Sequence, residues 1–278
     1  MMLATLFFAG MNVMVKLLPR IPVYEVIFFR SWITLLMSAV VIKRANISFL
    51  GNNRKLLLLR GLFGFFGLLL YFTTVKNMPL ASAVTIQYLS PIFSTILAIY
   101  ILKQPMQSIK WLFYIIAFAG VILVKGFDAR VDTLMLLLGI GSAIFSGLAY
   151  NVIGKLKGQD DPRVIVMYFP LVTIPLIIVP TIMFWETPTA IEWLYLIGMG
   201  VTTQLAQLYM TWAFQAEDIS KVAIFQYLGM VYALLLGYFL FDESFSILSF
   251  TGMMLLVGGV VLSVLYGIWE KRKLKVPV

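Results

Sequence analysis

The sequence predicts an all-α membrane protein: ten transmembrane helices arranged as two inverted five-helix repeats. Three observations predict it. The 278 residues are 62% hydrophobic and only 12% charged, whereas a soluble domain is roughly half apolar and a quarter charged. Apolar runs of the roughly 20 residues needed to cross the hydrocarbon core recur from end to end. Polar residues inside those runs recur at a constant offset of 139 positions.

Ten runs qualify as spans, at 2–18, 24–42, 56–76, 82–102, 110–125, 132–154, 164–184, 191–214, 220–241 and 246–268. The first has no basic region before it and no small-residue cleavage site, so it reads as a retained helix. In the third, Gly61, Gly64 and Gly67 follow an i, i+3, i+6 pattern that suits close helix contact. In the fourth, Pro91 follows Gln87 and predicts a mid-helix kink that would assist a rocking motion. Met230 stands at the matching place in the ninth, so the halves are expected to differ mechanically. The seventh carries Pro170, Pro175 and Pro180 and is expected to be irregular. Short turn-rich connections such as "GNNRK" and "KGQDDPR" leave no room for a soluble domain. The division is therefore 1–126 for the first repeat, 127–268 for the second and 269–278 for a basic tail.

Basic residues set the orientation. With the N-terminus inside, inner loops hold 13 Lys and Arg and outer loops hold 4, so both termini are expected in the cytoplasm. A bacterial inner membrane suits this pattern. The net charge of +9 sits at helix ends and not in a stripe, which argues against a nucleic-acid partner. Cysteine and histidine are absent, which removes disulfides, thiolate chemistry and the usual zinc sites. No cofactor is expected. No carboxylate lies deep in any span, so a central proton relay is not expected either. A nucleophile with an adjacent base is also missing, which argues against an enzyme.

The repeat supplies the candidate site. "TIQYLSP" around Gln87 and "IFQYLGM" around Gln226 superpose at the 139 offset, as do Tyr88 with Tyr227, Asn12 with Asn151 and Lys16 with Lys155. Because each unit has five spans, the second enters the membrane upside down, and carriers built this way bind substrate near mid-membrane between the units. Asn12 and Lys16 are four apart and share a helix face, although a lysine near a helix end also reaches for water. Gln204, Gln207 and Thr211 make a stripe on the eighth span, opposite Phe65, Leu68 and Phe72 at the same offset. The expected cavity wall is thus Asn12, Lys16, Tyr71, Gln87, Tyr88, Asn151, Gln204, Gln207, Gln226 and Tyr227, with Arg30 and Pro91 in structural or gating roles. Each amide has the alternative of bonding a neighbouring helix. Arg60, near the inner boundary, reads as a residue reaching out to water.

The stretch "AGMNVMVKLLPRIPVYEVIFFRSWITLL", followed by "RGLFGFFGLLLYFTTVKNMPLASAVTIQYLSPIFSTILAIYILKQ", resembles EamA-type members of the drug/metabolite transporter superfamily. The matching positions are Lys16, Arg30, Ala81, Ala83, Leu89, Pro91 and Gln104, then Lys155, Leu228 and Glu243. Two departures are Gln104, where the family has glutamate, and Phe169, at the counterpart of Arg30. The resemblance implies ten helices, both termini inside and alternating access to a central cavity. It implies a secondary transporter of a small organic metabolite, with amino acids, nucleobases, S-adenosylmethionine or riboflavin-like solutes as the range. A drug or lipid-like amphiphile exporter of the same fold is the alternative. The expected partners are a small-molecule substrate and the lipid bilayer, in a monomer or homodimer.

Overall fold

The structure, a computed structural model, describes residues 1–101, 108–127, 130–216 and 224–273; of residues 110, 124–127, 224, 227, 260, 264, 268 and 270–273 it describes the backbone alone. Regular structure among them is helical throughout: α1 (Met2–Lys16), α2 (Val23–Arg44), α3 (Arg54–Asn77), α4 (Leu80–Gln87), α5 (Ser90–Ile101), α6 (Ser108–Phe127), α7 (Thr133–Lys155), α8 (Pro162–Met183), α9 (Ala190–Ala216), α10 (Leu228–Phe241) and α11 (Ile247–Lys273), with a 3₁₀ turn at Ile224–Tyr227 leading into α10. Six stretches among the described residues are long and apolar enough to cross a membrane: α2, α3, α4 with α5, α7, α8 and most of α11. Shorter apolar helices accompany them in α1, α6 and α10. Large apolar side chains cover the outside, among them Leu36, Val40, Ile115, Ile122, Val179 and Ile182. Such a surface is stable against lipid and costly against water.

Local chemistry sets the helix starts. The Asn53 side chain accepts from the Leu56 N–H, Asp132 accepts from Leu134 N–H, and Asp161 accepts from Arg163 N–H with Pro162 next to it. The Arg163 guanidinium also donates to Asp161, which holds that carboxyl below the usual carboxylate range.

Two expectations about prolines are corrected. The fourth span is two helices, with the break at Tyr88–Leu89. Pro91 lies in the first turn of α5, where a missing N–H removes no helical bond, and Phe93 N–H starts the ladder on the Leu89 carbonyl. At the same offset in the other half the 3₁₀ turn Ile224–Tyr227 leads into α10, with Met230 in place of the proline. The prolines of α8 fall at five-residue intervals inside a continuous helix. Each frees one carbonyl without stopping the chain.

Helix pairs form the bundle. The most extensive pairs are α6 with α11, α3 with α7, α1 with α9, and α2 with α8; α2 also meets α9 and α3 meets α8. Glycines mark the tightest approaches. A Cβ on Gly61 would stand 2.6 Å from Val172, and one on Gly200 2.6 Å from Ile33. A Cβ on Gly120 would meet the Gly252 carbonyl at 2.5 Å, and one on Gly259 the Phe113 carbonyl at 2.6 Å. Every one of these contacts turns into its partner when 139 is added to one residue and subtracted from the other.

One end of the bundle is tied by charge. Lys16 at the end of α1 pairs with the Glu243 carboxylate and donates to the Met78 carbonyl at 3.2 Å. The same Glu243 oxygen accepts the Leu80 N–H at 2.8 Å, at the start of α4. At that end Arg20 donates to Glu192 and to the Thr187 carbonyl, joining the α1–α2 and α8–α9 connections.

Two outcomes are expected. Gly120→Val and Gly259→Val each lower stability by about 1–3 kcal/mol, read as thermal unfolding in detergent. Gly258→Val, where an added Cβ meets nothing within 4 Å, leaves it unchanged. Glu243→Gln keeps an acceptor for Leu80 but leaves Lys16 without a counter-charge, at a cost of about 2 kcal/mol in the same assay.

Candidate functional site

A cavity of about 1110 Å³, open mouth included, lies among α1 to α4 and α7 to α10. It runs from Met1 and Thr5 at the start of α1 towards Leu80 and Leu236 at the opposite end. Its wall is mixed. Phe8, Leu68, Tyr71, Tyr150 and Phe169 give it an aromatic and aliphatic body. Asn12, Gln87, Gln207 and Gln226 supply amide groups, and Arg30 and Arg60 supply charge.

Gln87 sits at the end of α4, where the helix break turns its side chain across to α7. Its Nε2 donates to Ser146 Oγ at 2.9 Å, and its Oε1 accepts from Ser142 Oγ at 2.8 Å. The amide is thus satisfied by a neighbouring helix and still faces the cavity, with one N–H and one lone pair to spare. Tyr88 reaches over the break, and its hydroxyl donates to the Gln226 carbonyl at 2.7 Å. The α4–α5 break and the 3₁₀ turn touch each other there. Asn12 is buried beside Tyr71, and its Oδ1 accepts no hydrogen bond among the described residues.

Three expected wall residues stand elsewhere. Asn151 donates through Nδ2 to the Ser94 carbonyl (2.9 Å), to Ser94 Oγ (3.2 Å) and to the Gly147 carbonyl (2.9 Å), which clamps α7 to α5. Gln204 exchanges hydrogen bonds with Ser38 Oγ and joins α9 to α2. Lys16 is committed to Glu243, away from the cavity wall. Pro91, expected in a structural or gating role, does not line the cavity. Buried amides and ammonium groups take the nearest strong partner, which here lies on an adjacent helix or, for Lys16, in the α10–α11 connection. Lys155 is exposed at its helix end, as a lysine reaching water would be. The side chain of Tyr227 and all of Gln104 lie outside the described residues.

The arginines are the main departure from expectation. Arg30 lines the cavity, with its Nε donating to Thr203 Oγ1 at 3.2 Å. Its guanidinium lies 4.8 Å from the centroid of the Phe169 ring and 5.8 Å from that of Phe72. Arg60 does not reach out to water: it is 3% exposed, donates from Nη2 to Gln207 Oε1 at 3.2 Å and lies 5.3 Å from the same Phe169 ring. A cue was present in the sequence. Gly64 is four residues after Arg60, on the same helix face, and a Cβ there would collide with the Arg60 guanidinium and stand 2.6 Å from Phe169.

The site can bind a solute through amides, rings and cations. No group of three or more acidic residues arranged to hold a metal is found among the described residues. The model of the EamA-like transporter family matches residues 1–126 and 133–265. The chain is 29% identical over 259 residues to the pseudopaline exporter CntI of Pseudomonas aeruginosa, covering 92% of this chain and 91% of that one. It is 24% identical over 227 residues to the S-adenosylmethionine uptake transporter of Rickettsia prowazekii, covering 81% and 76%. A solved protein structure matches with a TM-score of 0.70 at 18% identity, over 98% of this chain and 99% of the other, which bears on fold alone. Matched on both sides of its midpoint, this chain belongs to the EamA-like transporter family, and it is a membrane transporter and not an enzyme.

Proposed function

We propose that the chain is a secondary carrier of a small organic metabolite, working by alternating access around the cavity described above. The observation that carries this reading is the amide-lined and charged cavity at the meeting of segments related by the 139 offset. Further support comes from the glycine contacts, which exchange under that offset as contacts across a two-fold axis do. Ten membrane segments follow if α4 and α5 count as one, and the 3₁₀ turn with α10 as another. Five per half then requires the axis to lie in the membrane plane and the halves to be inverted. The halves are 1–126 and 127–268, with both termini in the cytoplasm of a bacterial cell and the carrier in its inner membrane.

In this orientation the Lys16–Glu243 pair and the Arg20 contacts close the outer end, while the cavity extends to Met1 and Thr5 on the inner side. Opening outwards requires Glu243 to release both Lys16 and the Leu80 N–H. The curated relatives include one exporter and one uptake transporter, and the inverted arrangement allows either direction. An exporter of lipid-like amphiphiles is the competing reading. Phe8 and Leu68 favour it, but an apolar tail gains nothing from two buried guanidinium groups.

Reconstituted in liposomes, the protein is expected to show saturable counterflow of a metabolite. Gln87→Ala and Gln226→Ala should each slow it by about three- to tenfold, the worth of one neutral hydrogen bond. Asn151→Ala should lower thermal stability and leave the apparent affinity for solute unchanged. Undiminished counterflow in both glutamine variants would remove those residues from the site.

A further inference from the structure

Arg30 and Arg60 are 1% and 3% exposed, on different helices, and both border the cavity. Each makes one hydrogen bond, and each bond goes to a neutral side chain, Thr203 for one and Gln207 for the other. No carboxylate pairs with either among the described residues. Arg30 Nη1 and Arg60 Nε are buried with no hydrogen-bond partner there. Both guanidinium carbons lie within 5.3 Å of the centroid of one ring, Phe169. A phenyl face attracts a cation but does not neutralise it. Two uncompensated charges in an apolar bundle are costly to keep. They are held where a solute can reach them, and Gly64 leaves the space that the Arg60–Phe169 stack needs.

We infer that the transported solute is an organic dianion carrying two carboxylates, one received by Arg30 and one by Arg60. This rests on reading the cavity as the transport site. The planar guanidinium fork suits a carboxylate, and among the described residues each arginine commits only one of its three nitrogens to a hydrogen bond. Phe8, Leu68 and Tyr150 would hold an aliphatic or aromatic body, and the unpaired Asn12 Oδ1 would accept from an N–H or O–H of the solute. Net cations and uncharged bases fit poorly, because they leave both guanidinium groups without a counter-charge.

The test uses the full-length protein in detergent, titrated with benzylsuccinate, with the diamide of the same acid, and with benzyltrimethylammonium. The readout is the rise in melting temperature that binding to the folded state produces. The dicarboxylate should stabilise saturably and the other two should not. Arg30→Gln and Arg60→Gln should each weaken dicarboxylate binding about tenfold or more, and Arg60→Lys, which keeps the charge but not the fork, should fall between. Stabilisation by the cation or diamide but not by the dicarboxylate overturns the inference, as does no response to any of the three. Lower ligand-free stability in the arginine variants with unchanged dicarboxylate affinity also overturns it, by assigning both residues to helix packing. Saturable counterflow of a metabolite without dicarboxylate binding overturns the anion and leaves the carrier intact. Dicarboxylate binding without counterflow of any solute leaves the anion site standing and removes the carrier reading instead.

Discussion

Two guanidinium groups share one phenyl ring in the interior of an apolar bundle, and much of the site follows from the need to accommodate them. Charge in a low-dielectric interior demands polar contact on every side it can reach. Thr203 and Gln207 provide part of it from α9, and the Phe169 face provides more from α8. The remainder is open space. Gly64 takes no room, so the stack can lie flat against α3. A bundle packed to normal density at this place would have no means of keeping either charge.

The surrounding helices leave that space by being interrupted. α4 stops at Gln87, α5 begins at Ser90, and the second half enters α10 through a 3₁₀ turn at the same offset. Interrupted backbone at membrane depth is tolerated where it faces a cavity or is covered by protein. Both conditions hold here. Ser142 and Ser146 take the Gln87 amide, and the Tyr88 hydroxyl takes the Gln226 carbonyl. The break and the turn thus bring two amides to the cavity wall and are held together by a bond between them.

Much of this was legible in the sequence. Eight of the ten apolar runs match single helices to within about five residues, because a minimum span length is set by the hydrocarbon thickness; the fourth is two helices, and the ninth begins outside the described residues. Gln87 and Gln226 were found because an amide in an apolar run needs a reason. What the pairing of residues at one offset did not reveal was the direction each side chain faces. Asn12 and Asn151 are equivalent by position, yet one lines the cavity and the other clamps α5. The difference lies in what each is offered: Asn151 meets Ser94, whereas the residue at the position equivalent to Ser94 in the other half is Ala233, which has no hydroxyl. Gln204 was drawn to Ser38 for the same kind of reason. Arg60 was misread because distance along the helix suggested a water boundary, while its partners come from α8 and α9, remote in the chain.

Arg30 and Phe169 are counterparts at the 139 offset, and they touch. Under the two-fold relation proposed for the halves, a residue that contacts its own counterpart lies on the axis. Two identical subunits assembled the same way would set arginine against arginine at that point, with like charges facing each other away from water. Joining the halves in one polypeptide removes this constraint. The axial position can then hold a cation from one half and an aromatic ring from the other, and an architecture that is close to symmetric gains a centre that is not.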